Sequence, residues 1–442
     1  MKLDREILRL AVVGHLDGED GFAVKIDHQD MNIVVFASAM HDVASVIGRR
    51  EDALRKFFGE GIILHNYDSD LSGLENPVCF IATGGTEELF ARIWDKLPRP
   101  IVLLSDGYHN SLAASFEIAS FLEQRGVAHR LINLPLEDEE SADNLRNCGA
   151  SGHQHVAFAD GKPDAAILSG NSGDSISSAD IYSDAVMAHL ADQRIGLIGG
   201  ASSWLISSEI DREAVSRAYG ATFIEIPIRE LEQEFFTASE APAKDPSPTY
   251  SLKALEDAER MYRALKVMCG RYRLTAVTIK CFDLLESCRT TSCLALARLS
   301  DEGIISGCEG DIPSLWTLIV AKAMTGRPAF MANPSSSSPA ECTVDFAHCT
   351  IPLSMCSSYT LPSHFESGIG IGIAGTIPEG PCKILKIGGP NLDRIYQANG
   401  EVVCNTHIPE RCRTQIRFRF SNCAEFNRFM ANRLGNHVIL YR

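Results

Sequence analysis

Several signatures of familiar enzyme classes are missing from this 442-residue chain. Its cysteines never form a CxxC pair, which removes zinc ribbons and thioredoxin-type redox centres. HExxH, the GxSxG elbow and the EF-hand pattern are absent, and with them the grounds for a zincin protease, an α/β-hydrolase or a calcium loop. Positive charge is scarce: 41 Lys and Arg against 57 Asp and Glu leave a net charge of −16, which argues against nucleic acid as a partner. No apolar run approaches membrane-spanning length, and the opening Met1-Lys2-Leu3-Asp4-Arg5-Glu6 lacks the basic-then-apolar order of a signal peptide. The expectation is a cytoplasmic protein with no membrane partner. Internal repeats, coiled coils and low-complexity tails are lacking too.

What is present is ordinary globular composition, 45% apolar and 22% charged, on a chain too long for one core. The fold class expected is α/β: two doubly wound parallel-sheet domains over residues 1–192 and 193–332, then a smaller β-rich domain over 333–442. In the first block the apolar runs Leu8–Val13, Ile33–Phe36, Ile62–Leu64, Val78–Ala82, Ile101–Leu104 and Arg130–Leu134 read as buried strands, with helices at Glu87–Leu97 and Leu112–Arg125. Residues Glu137–Ser178 read as loop with a short strand at Ala165–Leu168. The second block repeats the alternation, from the strand Arg194–Gly200 to a helix over Ser314–Thr325, with Ala241–Pro248 as an exposed loop. Asn333–Pro339 reads as a linker. After it come short alternating segments, among them Thr343–Cys349, Gly368–Ala374, Cys382–Ile387 and Thr414–Phe420, which suit a small antiparallel sheet or barrel.

The most informative stretch is Gly307-Cys308-Glu309-Gly310-Asp311, two carboxylates at a strand-to-helix junction, where open α/β sheets place their ligands. Asp311 is also well placed to cap the helix that follows. Thr83-Gly84-Gly85-Thr86-Glu87 is a strand-to-helix loop of neither GxGxxG nor Walker form; Thr86 could meet a ligand or simply cap a helix. Asp106-Gly107-Tyr108-His109-Asn110-Ser111 suits a polyol ligand or a plain turn. Ser203 and Trp204 could hydrogen-bond to and stack on a sugar ring, although Trp204 could equally be core. Lys280, Asp283 and Glu286 follow another strand. Among thirteen histidines, His348, His364 and His437 stand beside apolar runs in the last block, where imidazole could join carboxylates around a metal. Of fourteen cysteines, Cys281, Cys288, Cys293 and Cys308 fall near the acidic motif, and burial as small apolar residues is the commoner role.

On these residues the chain resembles the L-fucose isomerase family, the fucose/arabinose isomerase group of ketol-isomerases. The likeness rests on the Thr83–Glu87 and His109–Ser111 loops, the Ile198–Ile206 run, Ile279-Lys280-Cys281, Cys308-Glu309-Gly310-Asp311 and Met430–His437. The resemblance implies one divalent ion, usually Mn²⁺, held by a Glu, an Asp and a His. Carried over, the Asp is Asp311 and the His is His437; the Glu falls near Ser287, whose neighbour is Glu286, and Glu309 could exchange roles with Asp311 or serve as the third ligand. It also implies aldose–ketose isomerisation of a small or substituted sugar, and a homo-oligomer, trimer-based in that family's manner. Asp311, Glu309 and Glu286 are then the catalytic candidates, while Thr86, Asn110, Ser203, Trp204, Lys280 and His348 are the substrate-binding ones. Carbon–carbon cleavage or transfer on a ketose, and sugar binding without turnover, are the rival functions.

Overall fold

The computed structural model describes residues 31–134, 157–161, 181–238, 251–431 and 434–442. The expected strands Leu8–Val13 and Ala165–Leu168 and the loop Ala241–Pro248 lie outside them. Three layers of strands organise the rest: a six-stranded sheet, a four-stranded sheet and a closed barrel.

The first sheet contains β1 (Met31–Phe36), β2 (Ile62–Asn66), β3 (Val78–Ile81), β4 (Ile101–Ser105), β5 (His129–Asn133) and β6 (Ala157–Gly161), in the order β2-β1-β3-β4-β5-β6. Strands β3 and β4 are buried along their whole length, as continuous apolar runs in the middle of a helix-covered parallel sheet must be. The sheet is mixed rather than purely parallel, because β6 runs antiparallel to β5 in a segment read from sequence as loop. The helix expected over Glu87–Leu97 stops at Ala91, and a single 3₁₀ turn, Trp94–Lys96, follows. The second sheet, β7 (Arg194–Ile198), β8 (Thr222–Ile226), β9 (Ala276–Ile279) and β10 (Ile305–Gly307), is parallel throughout in the order β10-β9-β7-β8.

The third unit is an antiparallel barrel, β11-β12-β17-β16-β15-β18, made of β11 (Phe330–Ser338), β12 (Thr343–His348), β15 (Gly380–Gly388), β16 (Arg394–Asn405), β17 (Thr414–Phe420) and β18 (Val438–Tyr441). A two-stranded ribbon, β13 (Ser358–Thr360) with β14 (Ala374–Thr376), lies beside it, so the strand expected over Gly368–Ala374 is only its far end. Strand β11 corrects the sequence reading of Asn333–Pro339 as a linker. Its serines are buried because the polar groups find partners: Asn133 Oδ1 accepts from Ser337 N at 3.1 Å and from Ser337 Oγ at 2.8 Å. The missing N–H of Pro334 sits beside an irregularity in the register, where a proline is tolerated.

Two helices join the layers. Ser111–Gln124 is buried from Ser111 to Leu122 and packs on the first sheet and β11; Ile312–Thr325 is buried from Ile312 to Ala321 between the second sheet and the barrel. Fully buried side chains such as Leu315, Trp316 and Ile319 supply roughly 1.5–3 kcal/mol apiece to that contact. Ion pairs tie the layers as well: Arg50 reaches Asp106 and Glu410 at 2.7 Å each, and Arg411, held by Asp345 at 2.8 Å, donates to Gly107 O at 2.7 Å, while Asp345 also holds Arg417 at 2.7 Å. Cys342 and Cys423 form a disulfide. Most other cysteines described as free are buried, including Cys288, Cys293 and Cys308, while Cys281 is partly exposed. Among the described residues no helix is long and apolar enough to cross a membrane.

Candidate metal centre and cleft

The first turn of one joining helix and the loop that enters the other border one cleft, through Asn110, Ala113 and Ala114 on one side and Glu309 on the other. On the Glu309 side, β10 ends at Gly307 and the chain turns sharply through Glu309 (φ 61°) and Gly310 (φ 63°). Left-handed backbone at a residue other than glycine costs of order 1–3 kcal/mol, so the turn must be held from outside. Ser202 does so by donating its hydroxyl to Glu309 O. A Cβ on Gly310 would lie 2.9 Å from both Gly200 O and Ser202 N, so only glycine fits there. The turn lifts the Glu309 carboxylate into the cleft and leaves Asp311 behind it.

Asp311 caps the helix and serves the site at once. Its Oδ1 accepts from Ser314 N at 2.8 Å; its Oδ2 accepts from Ser314 Oγ at 2.6 Å and from His437 Nδ1 at 2.8 Å. The buried Lys386 lies 3.9 Å from that oxygen and donates to Ser314 Oγ at 3.1 Å. With its lone pairs engaged, Asp311 orients His437 from behind. Nδ1–H bonded to a carboxylate leaves the proton-accepting face of the ring at Nε2. That atom is buried, has no hydrogen-bond partner, and lies 3.6 Å from Glu309 Oε1. His348, at the end of β12, completes the group, with Nε2 3.4 Å from Glu309 Oε1.

Glu309, His348 and His437 therefore offer one ligand atom each, all within 4.8 Å of one another, a set that could hold a metal ion. The two imidazoles differ. Nδ1 of His437 is held by the Asp311 carboxylate at 2.8 Å, whereas Nδ1 of His348 meets only the backbone, accepting from Thr350 N at 3.1 Å.

Charge follows the same division. Burial works to raise the carboxyl pKa of Glu309, but the His437 charge and the bond from His348 outweigh it and hold the group well below the usual carboxylate range. Asp311 is held low in the same way, burial being outweighed by the Lys386 charge and the His437 hydrogen bond. Burial pulls His437 down while the Glu309 charge and Asp311 pull it up, and the net shift is upward. Across the cleft, burial pushes Glu366 up to about 8, although Asn110 Nδ2 donates to its Oε1 at 2.6 Å, and burial likewise pushes Glu87 up to about 8.

The cleft encloses about 180 Å³, with Glu309 at its floor and Glu87, Asn110, Ser203, Trp204, Asn333 and Glu366 among its walls. Of the substrate-binding candidates, Asn110, Ser203 and Trp204 thus line it and His348 sits in the cluster. Thr86 does not: it is buried and its hydroxyl donates to Thr83 O at 2.8 Å. Lys280 is turned to Asp283, 3.7 Å away, and is not among the lining residues. Two ligand expectations also change. Glu286 is exposed on the short helix Asp283–Ser287, because Leu284 on the same turn is the buried side and a residue two positions on faces away from it. Asp311 stands behind His437 and outside the three-residue cluster, whose carboxylate is Glu309. His364 bonds Ser367 Oγ at 3.0 Å and lines a smaller neighbouring cavity with Cys281 and Cys308, whose sulfurs are 3.3 Å apart.

Glu366, Asn333, Lys386 and Glu117 escaped the sequence reading. Glu366 stands two residues after His364, and Lys386 is two residues along β15 from the fully buried Ile384, so a lysine in phase with the apolar face was a usable signal. Glu117, inside the buried helix Ser111–Gln124, accepts from Ser207 N at 2.7 Å and carried none beyond its place in an apolar run.

No family model matches the chain. Among curated proteins it is similar to a sulfoquinovose isomerase from Clostridium sp. (strain MSTE9), 27% identical over 142 residues. The match covers 30% of this chain and 32% of that enzyme, about a third of its length.

Proposed function

We propose that the chain is a metal-dependent aldose–ketose isomerase acting on a small or substituted sugar through an enediol. The observation that carries this reading is the convergence of Glu309, His348 and His437 from three separate elements on one point, with the unpartnered Nε2 of His437 aimed at it. The partial likeness to a sulfoquinovose isomerase supports the same class of reaction. The donor set, one carboxylate and two imidazoles with a carboxylate behind one ring, is the chemistry of a divalent transition-metal site. Bound there, such an ion supplies Lewis-acid polarisation of the sugar carbonyl.

The residues divide the remaining work. Glu309, ionised, takes the proton from the carbon next to the carbonyl and returns it to the former carbonyl carbon. Glu366, protonated at neutral pH, gives a proton to the developing oxyanion and recovers one from the neighbouring hydroxyl as the new carbonyl forms. Trp204 and Asn110 position the chain of hydroxyls. Homo-oligomeric assembly belongs to the same proposal and is checked by sedimentation.

The test is a panel of aldoses, sulfoquinovose included, incubated with Mn²⁺ in deuterated water. Deuterium should enter at the carbon adjacent to the carbonyl as the ketose appears. Fragments in place of an isomer, or no exchange across the panel, would refute the proposal.

A further inference from the structure

We propose that Glu87 and Asn333 form a hydroxyl-recognition subsite that holds the polyol tail of an open-chain sugar beside the Glu309 floor. The proposal deepens the isomerase reading of the cleft and rests on it for the kind of ligand. Glu87 is 2% exposed and Asn333 3% exposed, and both line the cleft. Each has a buried side-chain oxygen, Glu87 Oε2 and Asn333 Oδ1, with no hydrogen-bond partner. A buried polar atom left unpaired costs about 1–3 kcal/mol, so two of them facing one cavity mark a place that a hydroxylated ligand satisfies.

Distant parts of the chain supply the pair. Glu87 opens the helix Glu87–Ala91 above the first sheet, while Asn333 lies on β11 opposite Ala347, the residue before His348. The barrel register thus sets the amide next to the strand end that carries a cluster imidazole. Because burial pushes the Glu87 carboxyl up to about 8, it is protonated at neutral pH and both donates and accepts; the Asn333 oxygen accepts. A sugar hydroxyl, itself donor and acceptor, matches the two together. No lysine or arginine is among the described residues that line the cleft, so the subsite selects a neutral hydroxyl over an anionic substituent at this end of the ligand.

The experiment uses binding without turnover. The full chain loaded with Mn²⁺ is titrated calorimetrically with ribitol, xylitol, D-glucitol and galactitol. At least one should bind; Glu87→Ala and Asn333→Leu should each weaken it about tenfold or more, while Glu87→Gln, which keeps a donor and an acceptor, stays within about threefold of wild type. Thermal melting accompanies every variant, and Asn333→Ser replaces Asn333→Leu if the larger change unfolds the barrel. Binding by none of the four alditols, or binding untouched by both truncations, overturns the proposal. Alditol binding that follows these residues in a protein that isomerises no aldose leaves the subsite standing and removes the isomerase reading.

Discussion

The floor of the cleft and its wall both bury carboxyl groups, yet hold them in opposite states. On the floor, Glu309 and Asp311 lie among His437, His348 and Lys386 and stay ionised. On the wall, burial of Glu87 and Glu366 is reinforced by repulsion from neighbouring carboxylates, Glu309 among them; the Asn110 amide and a weaker pull from the His437 charge on Glu366 do not offset it, and both are pushed up to about 8. Desolvation is common to all four; the balance of nearby charge is what separates them. The contrast gives a cleft with a base on one side and an acid on the other, the division that moving a proton between adjacent carbons needs.

Breaking the floor should have the largest effects. Glu309→Gln removes both the base and an anionic donor, and turnover should fall by about 10²–10⁴-fold, measured by ketose formation at saturating Mn²⁺. Lys386→Met tests the floor's charge balance without touching the cleft. It strands the buried Asp311 carboxylate beside Glu117, and breaking a buried pair in this way costs about 3–5 kcal/mol; urea unfolding should show that loss.

Much of this floor was legible in the sequence, and the reasons it was only partly so are physical. The meeting of Asp311 with His437 is what the resemblance to the fucose isomerase family implied; the residue pattern alone offered a polar pair at a strand end and three candidate histidines. What the chain order hides is direction. The left-handed pair Glu309–Gly310 exchanges the places that the two acids hold in a one-dimensional reading, so Glu309 faces the cleft and Asp311 faces the imidazole. Glu286 differs for a similar reason: the family's spacing reaches its neighbour Ser287, and the short helix turns Glu286 itself to solvent. The parallel sheets were visible as apolar runs in β3, β4 and β7. Strand β11 was not, because its serines carry no apolar signal, and the partner that satisfies Ser337, Asn133, lies two hundred residues earlier. Wall residues were the hardest to find, since protonated carboxyl groups are made by burial, which composition does not report.

The two histidines sharpen the comparison further. His437, backed by Asp311, should matter more to metal binding than His348, whose Nδ1 is committed to Thr350 N. His437→Ala should weaken Mn²⁺ by about 100-fold and His348→Ala by about tenfold, the span that ligands and their supporting groups cover. Calorimetric titration of Mn²⁺ measures both. Because the His437 pKa is raised, a proton must leave Nε2 when the ion binds, so Mn²⁺ affinity should rise with pH across the neutral range and the heat should vary with the buffer's ionisation enthalpy. Equal losses in the two variants would remove the distinction between the rings.

The smallest expected effect falls on the wall. Glu366 has an ordinary carboxyl value of 4.5 in the unfolded chain and about 8 in the folded one. Between these values the folded protein holds the extra proton, so its stability falls as pH rises through the window. Floor carboxylates behave in the opposite sense: their folded values are depressed, so their contribution is present at neutral pH and lost only in acid. Glu366→Gln keeps the shape and the hydrogen-bonding capacity of the protonated acid but cannot ionise. Melting curves at pH 5.5 and 8.5 should therefore nearly coincide for variant and wild type at the lower pH. At the higher pH the variant should melt above wild type, by about 2 °C or more, because only the wild type has a buried carboxyl whose ionisation costs more in the folded protein than in the unfolded chain. An unchanged difference between the two pH values would mean that Glu366 is already ionised, and the acid side of the cleft would have to be sought elsewhere.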